Sequence, residues 1–318
     1  MKKLFMILLG MTLILAFGCK GEKELEIIDG YLSVEEGVKL YYRMVGHGTE
    51  VIVIPGACYL EYEFERLANK DRTLIFYDMR SRGRSSKISD ASRIGMNIEI
   101  KDLEAVRQNL GKEKVSLIGW SYLGAMVVLY ADKYPDHVKR VIQVGPLSPT
   151  YEIFTEATST PIDSESQAQL EEMKEKGLDK TDPESFCDED WKVYCRRIFY
   201  DPAKISQFHS DKCKFMNEMP DNVNFQLDRI RESVGEWDWR EMAKNIKVPV
   251  LTIQGDHDTL PMEGAREWTA SIPNARILVV YEAGHLPFVE RPEVFYPAIE
   301  SFLNGEWPEK AVIVGETQ

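Results

Sequence analysis

The chain has 318 residues, 44% of them hydrophobic and 29% charged, a balance that excludes a disordered, collagen-like or multi-span membrane protein. Its 39 basic and 52 acidic residues leave a net charge of −13, so a phosphate-binding face would have to form against the overall field. Nucleic acid is not an expected partner.

Lys2 and Lys3 precede an apolar run from Leu4 to Phe17, followed by Gly18 and Cys19. A bilayer core needs ~20 helical residues, so this run is too short to span comfortably and reads as a signal peptide over residues 1–18. Ala16-Phe17-Gly18-Cys19 resembles a bacterial lipobox, although Ala16 and Phe17 depart from the usual Leu and small residue. The expectation is export, with Cys19 lipidated to give a membrane-anchored lipoprotein; simple secretion to the periplasm or medium is the alternative. An oxidising compartment permits disulfides. Cys58, Cys187, Cys195 and Cys213 leave open one bridge among the last three or separate buried thiols, and the absence of a Cys-x-x-Cys pair argues against structural zinc.

Tyr31 to Val45 carries two apolar runs around a Glu-Glu-Gly turn and predicts an edge hairpin. Val51–Ile54, Thr73–Tyr77, Val115–Ile118, Val138–Val144, Val248–Ile253 and Arg276–Val280 are short and β-branched, the pattern of strands covered on both faces. Helix-period segments, notably Ile98–Leu110 and Tyr122–Tyr134, separate them, and that alternation predicts a mostly parallel central sheet of the α/β class. Between Pro146 and Ile246 it stops. That stretch is polar, helix-like and studded with aromatics, and residues 151–190 hold 13 acidic and three basic residues. The expected organisation is a core of residues 24–146 and 247–306 with an inserted helical cap over 147–246. The acidic stretch reads as a solvated face, or as an entrance suited to cationic substrates.

Ser121 stands between the apolar Val115–Ile118 run and an amphipathic helix, flanked by Gly119 and Gly124. That context predicts a nucleophile elbow, where a sharp turn lifts the hydroxyl clear of the sheet and small neighbours make room for the backbone. The second glycine falls one place late, with Leu123 in its usual position. A serine hydroxyl needs a base. Of five histidines, His285 follows the last strand on a loop that Gly284 frees to lie over the sheet edge. Asp258, with Asp256 as its rival, sits just past the Val248–Ile253 strand, where open α/β sheets place their sites, and would fix the histidine's tautomer. The oxyanion would be held by two backbone N–H groups, one from Tyr122 after the nucleophile and one from the Pro55-Gly56-Ala57-Cys58 loop. The second is that of Ala57 if the loop aligns with the His-Gly-x loop of enzymes with such an elbow; a plain Pro-Gly turn is the alternative.

Together these residues resemble the α/β-hydrolase superfamily and, within it, the proline iminopeptidase-like branch. The resemblance extends to Tyr77-Asp-Met-Arg-Ser-Arg-Gly-Arg-Ser-Ser86, with Ser81 where the family has glycine, to Gly255–Asp258, to Gly284-His285 and to Glu290-Arg291-Pro292. It implies an α/β-hydrolase fold with a helical cap, a Ser121-Asp258-His285 triad, and no cofactor or metal. It implies hydrolysis of small esters, amides or peptides with a free N-terminus, so the expected partner is a small molecule or short peptide. A non-catalytic ligand-binding protein on the same fold is the alternative, because Leu123 and Pro55 depart from the family at two sensitive turns. Trp191, Tyr194 and Trp237 are the cap residues expected to line the pocket.

Overall fold

The computed structural model describes residues 25–156 and 163–315. The signal segment and Cys19 lie outside the described residues.

Eight strands form one sheet: β1 (Ile27–Glu35), β2 (Val38–Val45), β3 (Glu50–Pro55), β4 (Arg72–Tyr77), β5 (Val115–Trp120), β6 (Val138–Val144), β7 (Val250–Gly255) and β8 (Ala275–Val280). Their order is β1-β2-β4-β3-β5-β6-β7-β8, with β1 and β2 antiparallel to their neighbours and the rest parallel. The edge hairpin is therefore where the sequence puts it, beginning a few residues earlier at Ile27. Strand β7 starts at Val250 and not at Val248, because Pro249 has no N–H to give the ladder; its carbonyl accepts from Val141 at 3.0 Å.

The central strands are apolar on both faces, and successive side chains point to opposite sides. Ile52, Ile54, Leu74, Phe76, Ile118, Ile142, Leu251 and Ile253 enter one core, with the aromatic residues of α1 (Ala57–Phe64), α11 (Pro287–Glu290) and α12 (Pro292–Leu303). Val51, Val53, Ile75, Tyr77, Leu117 and Val141 enter the other, under α2 (Met96–Asn109), α3 (Tyr122–Lys133) and α10 (Met262–Ser271). Between β6 and β7 the described residues are mostly helical: α4 (Tyr151–Glu156), α5 (Ser164–Glu175), α6 (Leu178–Thr181), α7 (Pro183–Ile198), α8 (Pro220–Val234) and α9 (Arg240–Ala243). Here Cys187 on α7 is bonded to Cys213, while Cys58 and Cys195 are buried free thiols.

Candidate active site

Strand β5 ends at Trp120 and α3 begins at Tyr122, which leaves Ser121 alone to make the turn, at φ 61° and ψ −131°. A non-glycine residue in such a conformation costs of order 1–3 kcal/mol and persists only where its surroundings enforce it. The Ser121 N–H donates to the Val144 carbonyl at 2.9 Å, and its own carbonyl accepts from Gly124 and Leu147 at 2.9 and 3.2 Å. A Cβ at Gly119 would lie 2.2 Å from the Leu123 carbonyl oxygen, and one at Gly124 would sit 3.1 Å from Pro146. The demand for small residues therefore falls on positions 119 and 124. Leu123 fits because it lies over Gly56, whose missing Cβ would stand 3.4 Å from Leu123 Cδ1.

Ala57 and Tyr122 are the first residues of α1 and α3, where backbone N–H groups have no acceptor within their own helix. Gly56 enters α1 at φ 92°, a left-handed conformation that suits glycine. The next N–H, that of Cys58, donates to Asp78 Oδ1 at 2.7 Å. Asp78 is fully buried; burial pushes its carboxyl up, opposed by the Arg84 guanidinium at 3.0 Å and by the Arg84 N–H at 2.9 Å. The Tyr77–Ser86 turn thus anchors the start of α1. Ser81, which replaces the family's glycine, adopts the left-handed φ of 62° that glycine would supply freely.

Asp258 follows β7 and His285 follows β8. The imidazole Nδ1 lies 2.9 and 3.0 Å from the two Asp258 carboxylate oxygens, and both side chains are almost wholly buried. Asp256 is engaged elsewhere, 2.9 Å from His257 and accepting from the Ala283 N–H at 3.2 Å. Trp120, beside Ser121, sets its ring at a tilt with its centre 5.0 Å from that of His285 and donates its indole N–H to the His285 carbonyl at 2.8 Å. The His285 N–H donates to Ile198 at the end of α7 at 2.7 Å. Glu290 accepts from the N–H groups of Gly284, Tyr200 and Asp201 at 2.6, 2.8 and 2.8 Å. The loop is therefore pinned, not loosened as its glycine suggests. Gly284 is there for close approach, since a Cβ would lie 2.2 Å from the Ile198 carbonyl oxygen.

A cavity of about 320 Å³ opens over Ser121. Trp191, Tyr194, Lys212 and Glu218 line it from the helical insertion, and Tyr59 and Arg82 from the sheet side. Trp237 does not line it: its indole donates to the Ser148 carbonyl at 3.0 Å and stacks on Trp239, fixing the base of the insertion. Tyr194 is 37% accessible although it stands in the cavity wall, and desolvation and the Asp258 charge push its hydroxyl up to about 12. Below it lies a buried network. Arg82 donates to both Glu218 oxygens at 2.9 and 2.8 Å, to Gln226 at 3.0 Å and to the Tyr59 hydroxyl. Glu218 also accepts from Tyr59 and from the Gly83 N–H at 2.7 Å. Burial pushes Glu218 up, but Arg82 and these donors outweigh it and hold the carboxyl at about 2. Gln226 passes the network to Glu99 at 2.7 Å; burial and neighbouring Asp102 raise that carboxyl to about 8.

Two features had no counterpart in the sequence reading. Gly145 lies against the histidine–aspartate pair, where a Cβ would stand 2.8 Å from both Asp258 Oδ2 and His285 Nδ1. Its only sequence signal is its place at the end of a strand. Arg82 and Glu218 are 136 residues apart, and nothing in the polar insertion singles out one glutamate among many.

A model of the "Alpha/beta hydrolase family" matches residues 51–298. A proline iminopeptidase of Heyndrickxia coagulans is 25% identical over 87% of this chain and 98% of its own length. Among solved structures, a proline iminopeptidase of Mycobacterium smegmatis superposes with a TM-score of 0.67 at 19% identity, over 87% of this chain and 98% of that one. An esterase of Exiguobacterium antarcticum superposes with a TM-score of 0.66 at 22% identity, over 87% of this chain and 100% of that one. At such identities the structural likeness establishes the fold and no more.

Proposed function

Because the chain belongs to the alpha/beta hydrolase family, we propose that it is a serine hydrolase cleaving a small ester or amide, including N-terminal aminoacyl substrates, through an acyl-enzyme on Ser121. The observation that carries this reading is the buried His285–Asp258 pair, braced by the residue next to a strained serine. With Nδ1 given to Asp258, the ring's Nε2 takes the Ser121 proton as the hydroxyl oxygen bonds to the substrate carbonyl carbon. The carbonyl π electrons move to oxygen, and the N–H groups of Tyr122 and Ala57 stabilise that oxyanion; such a donor is worth roughly 10²–10³ in rate. As the tetrahedral intermediate collapses, the bond to the leaving group breaks and His285 returns the proton to it. Water then repeats the cycle on the acyl-enzyme, releasing the acid and restoring Ser121.

The test is a panel of p-nitrophenyl esters beside aminoacyl-nitroanilides, run on the wild type and Ser121→Ala. Removing the nucleophile should cut turnover by roughly a millionfold. Equal rates in the two proteins, or saturable binding of panel members without turnover in the wild type, would overturn the reading, the latter in favour of a binding protein. We further propose that residues 147–246 form a cap over this site and that the protein is exported and lipidated at Cys19. The apolar Leu4–Phe17 run and the Cys187–Cys213 bridge support export. Metabolic labelling with an alkyne fatty acid, retained in the wild type and lost in Cys19→Ser, checks the anchor.

A further inference from the structure

Lys212 is a buried cation with no carboxylate at ion-pair distance among the described residues; Glu218 and Asp190 act on it only through space. Only 5% of its surface is exposed, yet it lines the cavity that contains Ser121. An ammonium has three N–H donors. This one reaches the disulfide sulfur of Cys187 at 3.4 Å, a weak acceptor, and lies 4.5 Å from the centre of the Trp191 ring. No carboxylate oxygen of the described residues comes within 4.0 Å of it. The two acidic groups of the cavity do not fill that gap. Glu218 is committed to Arg82, Tyr59 and the Gly83 N–H, and Asp190 stays beyond ion-pair distance. The disulfide from the neighbouring Cys213 to Cys187 on α7 anchors the backbone that carries this side chain.

A charge taken out of water without a direct ion-pair or strong hydrogen-bond partner weakens a fold, and side chains of this kind persist where a ligand completes them. We propose that Lys212 is an anion-binding group of this cavity and that the substrate is a small ester or amide carrying a carboxylate, which the ammonium holds while Ser121 attacks elsewhere on the same molecule. This rests on the hydrolase reading for the bond that is cut, but not for the binding of the carboxylate. A lysine kept for structure would behave otherwise, since its removal would loosen the insertion.

The experiment uses two substrate pairs and one equilibrium measurement on the full chain. p-Nitrophenyl hydrogen adipate against p-nitrophenyl hexanoate places the carboxylate on the acyl side, and 4-hexanoyloxybenzoate against phenyl hexanoate places it on the leaving group. The wild type should favour the charged member of one pair in kcat/KM by roughly tenfold or more, the scale of a charge-assisted hydrogen bond. Lys212→Met should abolish that preference by lowering kcat/KM for the charged ester far more than for the neutral one, and should melt no lower than the wild type, because an apolar isostere removes the burial cost. Adipate and 4-hydroxybenzoate titrated calorimetrically into the wild type and Lys212→Met report binding without chemistry, and one of them should lose roughly tenfold in affinity. Lys212→Gln serves as a second uncharged variant and should lose the same charged preference and carboxylate affinity. No charged preference in either pair, a preference that survives both variants, or a lowered melting temperature with unchanged selectivity would overturn the assignment. Failure of all four esters in the wild type, with carboxylate binding still dependent on Lys212, would instead overturn the hydrolase reading and leave the subsite standing.

Discussion

Replacing Glu218 by Gln keeps the shape of the side chain and removes its charge, leaving the Arg82 guanidinium buried without an anion. Arg82 is 3% and Glu218 0% exposed, and the two share three of the network's hydrogen bonds with Gly83 and each other at 2.7 to 2.9 Å. Breaking a buried pair from one side costs roughly 3–5 kcal/mol, and each kcal/mol is worth roughly 2–4 °C in a chain of this size, so Glu218→Gln should melt roughly 6–20 °C below the wild type. Adding Arg82→Met removes the stranded charge as well. The double variant should therefore recover most of the loss, and the cycle should report a coupling of several kcal/mol. Calorimetric melting of the four proteins at pH 7 measures this. Acid should mimic the single change: with a folded pKa of about 2 against 4.5 unfolded, the Glu218 contribution is present above pH 4.5 and is lost as the pH falls toward 2. A Glu218→Gln protein melting within 2 °C of the wild type, or a double variant whose loss equals the sum of the singles, would refute the idea that this pair joins the insertion to the sheet.

Glu99 has the opposite sign. Its folded pKa of about 8 lies above 4.5, so the folded state holds a proton that the unfolded chain has released, and stability should decline between pH 4.5 and 8 at up to ~1.4 kcal/mol per unit. Glu99→Gln should flatten that decline in urea titrations across the window; parallel curves for the two proteins would contradict the assignment. Gly145→Ala would set a Cβ 2.8 Å from the histidine and aspartate at a backbone φ of 50°, and should lower kcat by roughly 10²-fold while costing ~1–2 kcal/mol of stability. Steady-state kinetics and melting would show it, and an unchanged kcat would mean that the pair is not held as tightly as its geometry indicates. Trp120→Phe keeps the ring beside His285 but deletes the 2.8 Å bond to its carbonyl. It should cost ~1 kcal/mol of stability with a measurable fall in kcat, and normal values of both would contradict a bracing role.

Much of the frame was legible because parallel strands buried on both faces write a continuous apolar run, as Val115–Ile118 and Val51–Ile54 do, and one-dimensional patterns carry that signal. Ser121, Asp258 and His285 stood out as candidates for a related reason. Each sits just past a strand, where a change of pattern marks the end of the sheet. What stayed hidden depends on pairing across long separations. The Arg82–Glu218 bond joins a turn of the sheet to a segment with no periodic signature, and the choice of Cys213 as partner of Cys187 was one of several open pairings. Gly145, and the packing role of Gly284, were hidden because close approach leaves no trace beyond a glycine. Trp237 misled because an aromatic residue in a polar insertion looks the same whether it lines a cavity or seals the base beneath it.

The most direct test of the central claim is the position of the adduct formed by a fluorophosphonate on the native protein, read by mass spectrometry of its tryptic peptides. The account predicts one phosphonyl group on the Val115–Lys133 peptide, carried by Ser121, absent from Ser121→Ala and formed far more slowly in His285→Ala. A folded wild-type protein that takes no label, or takes it on another serine, would contradict it.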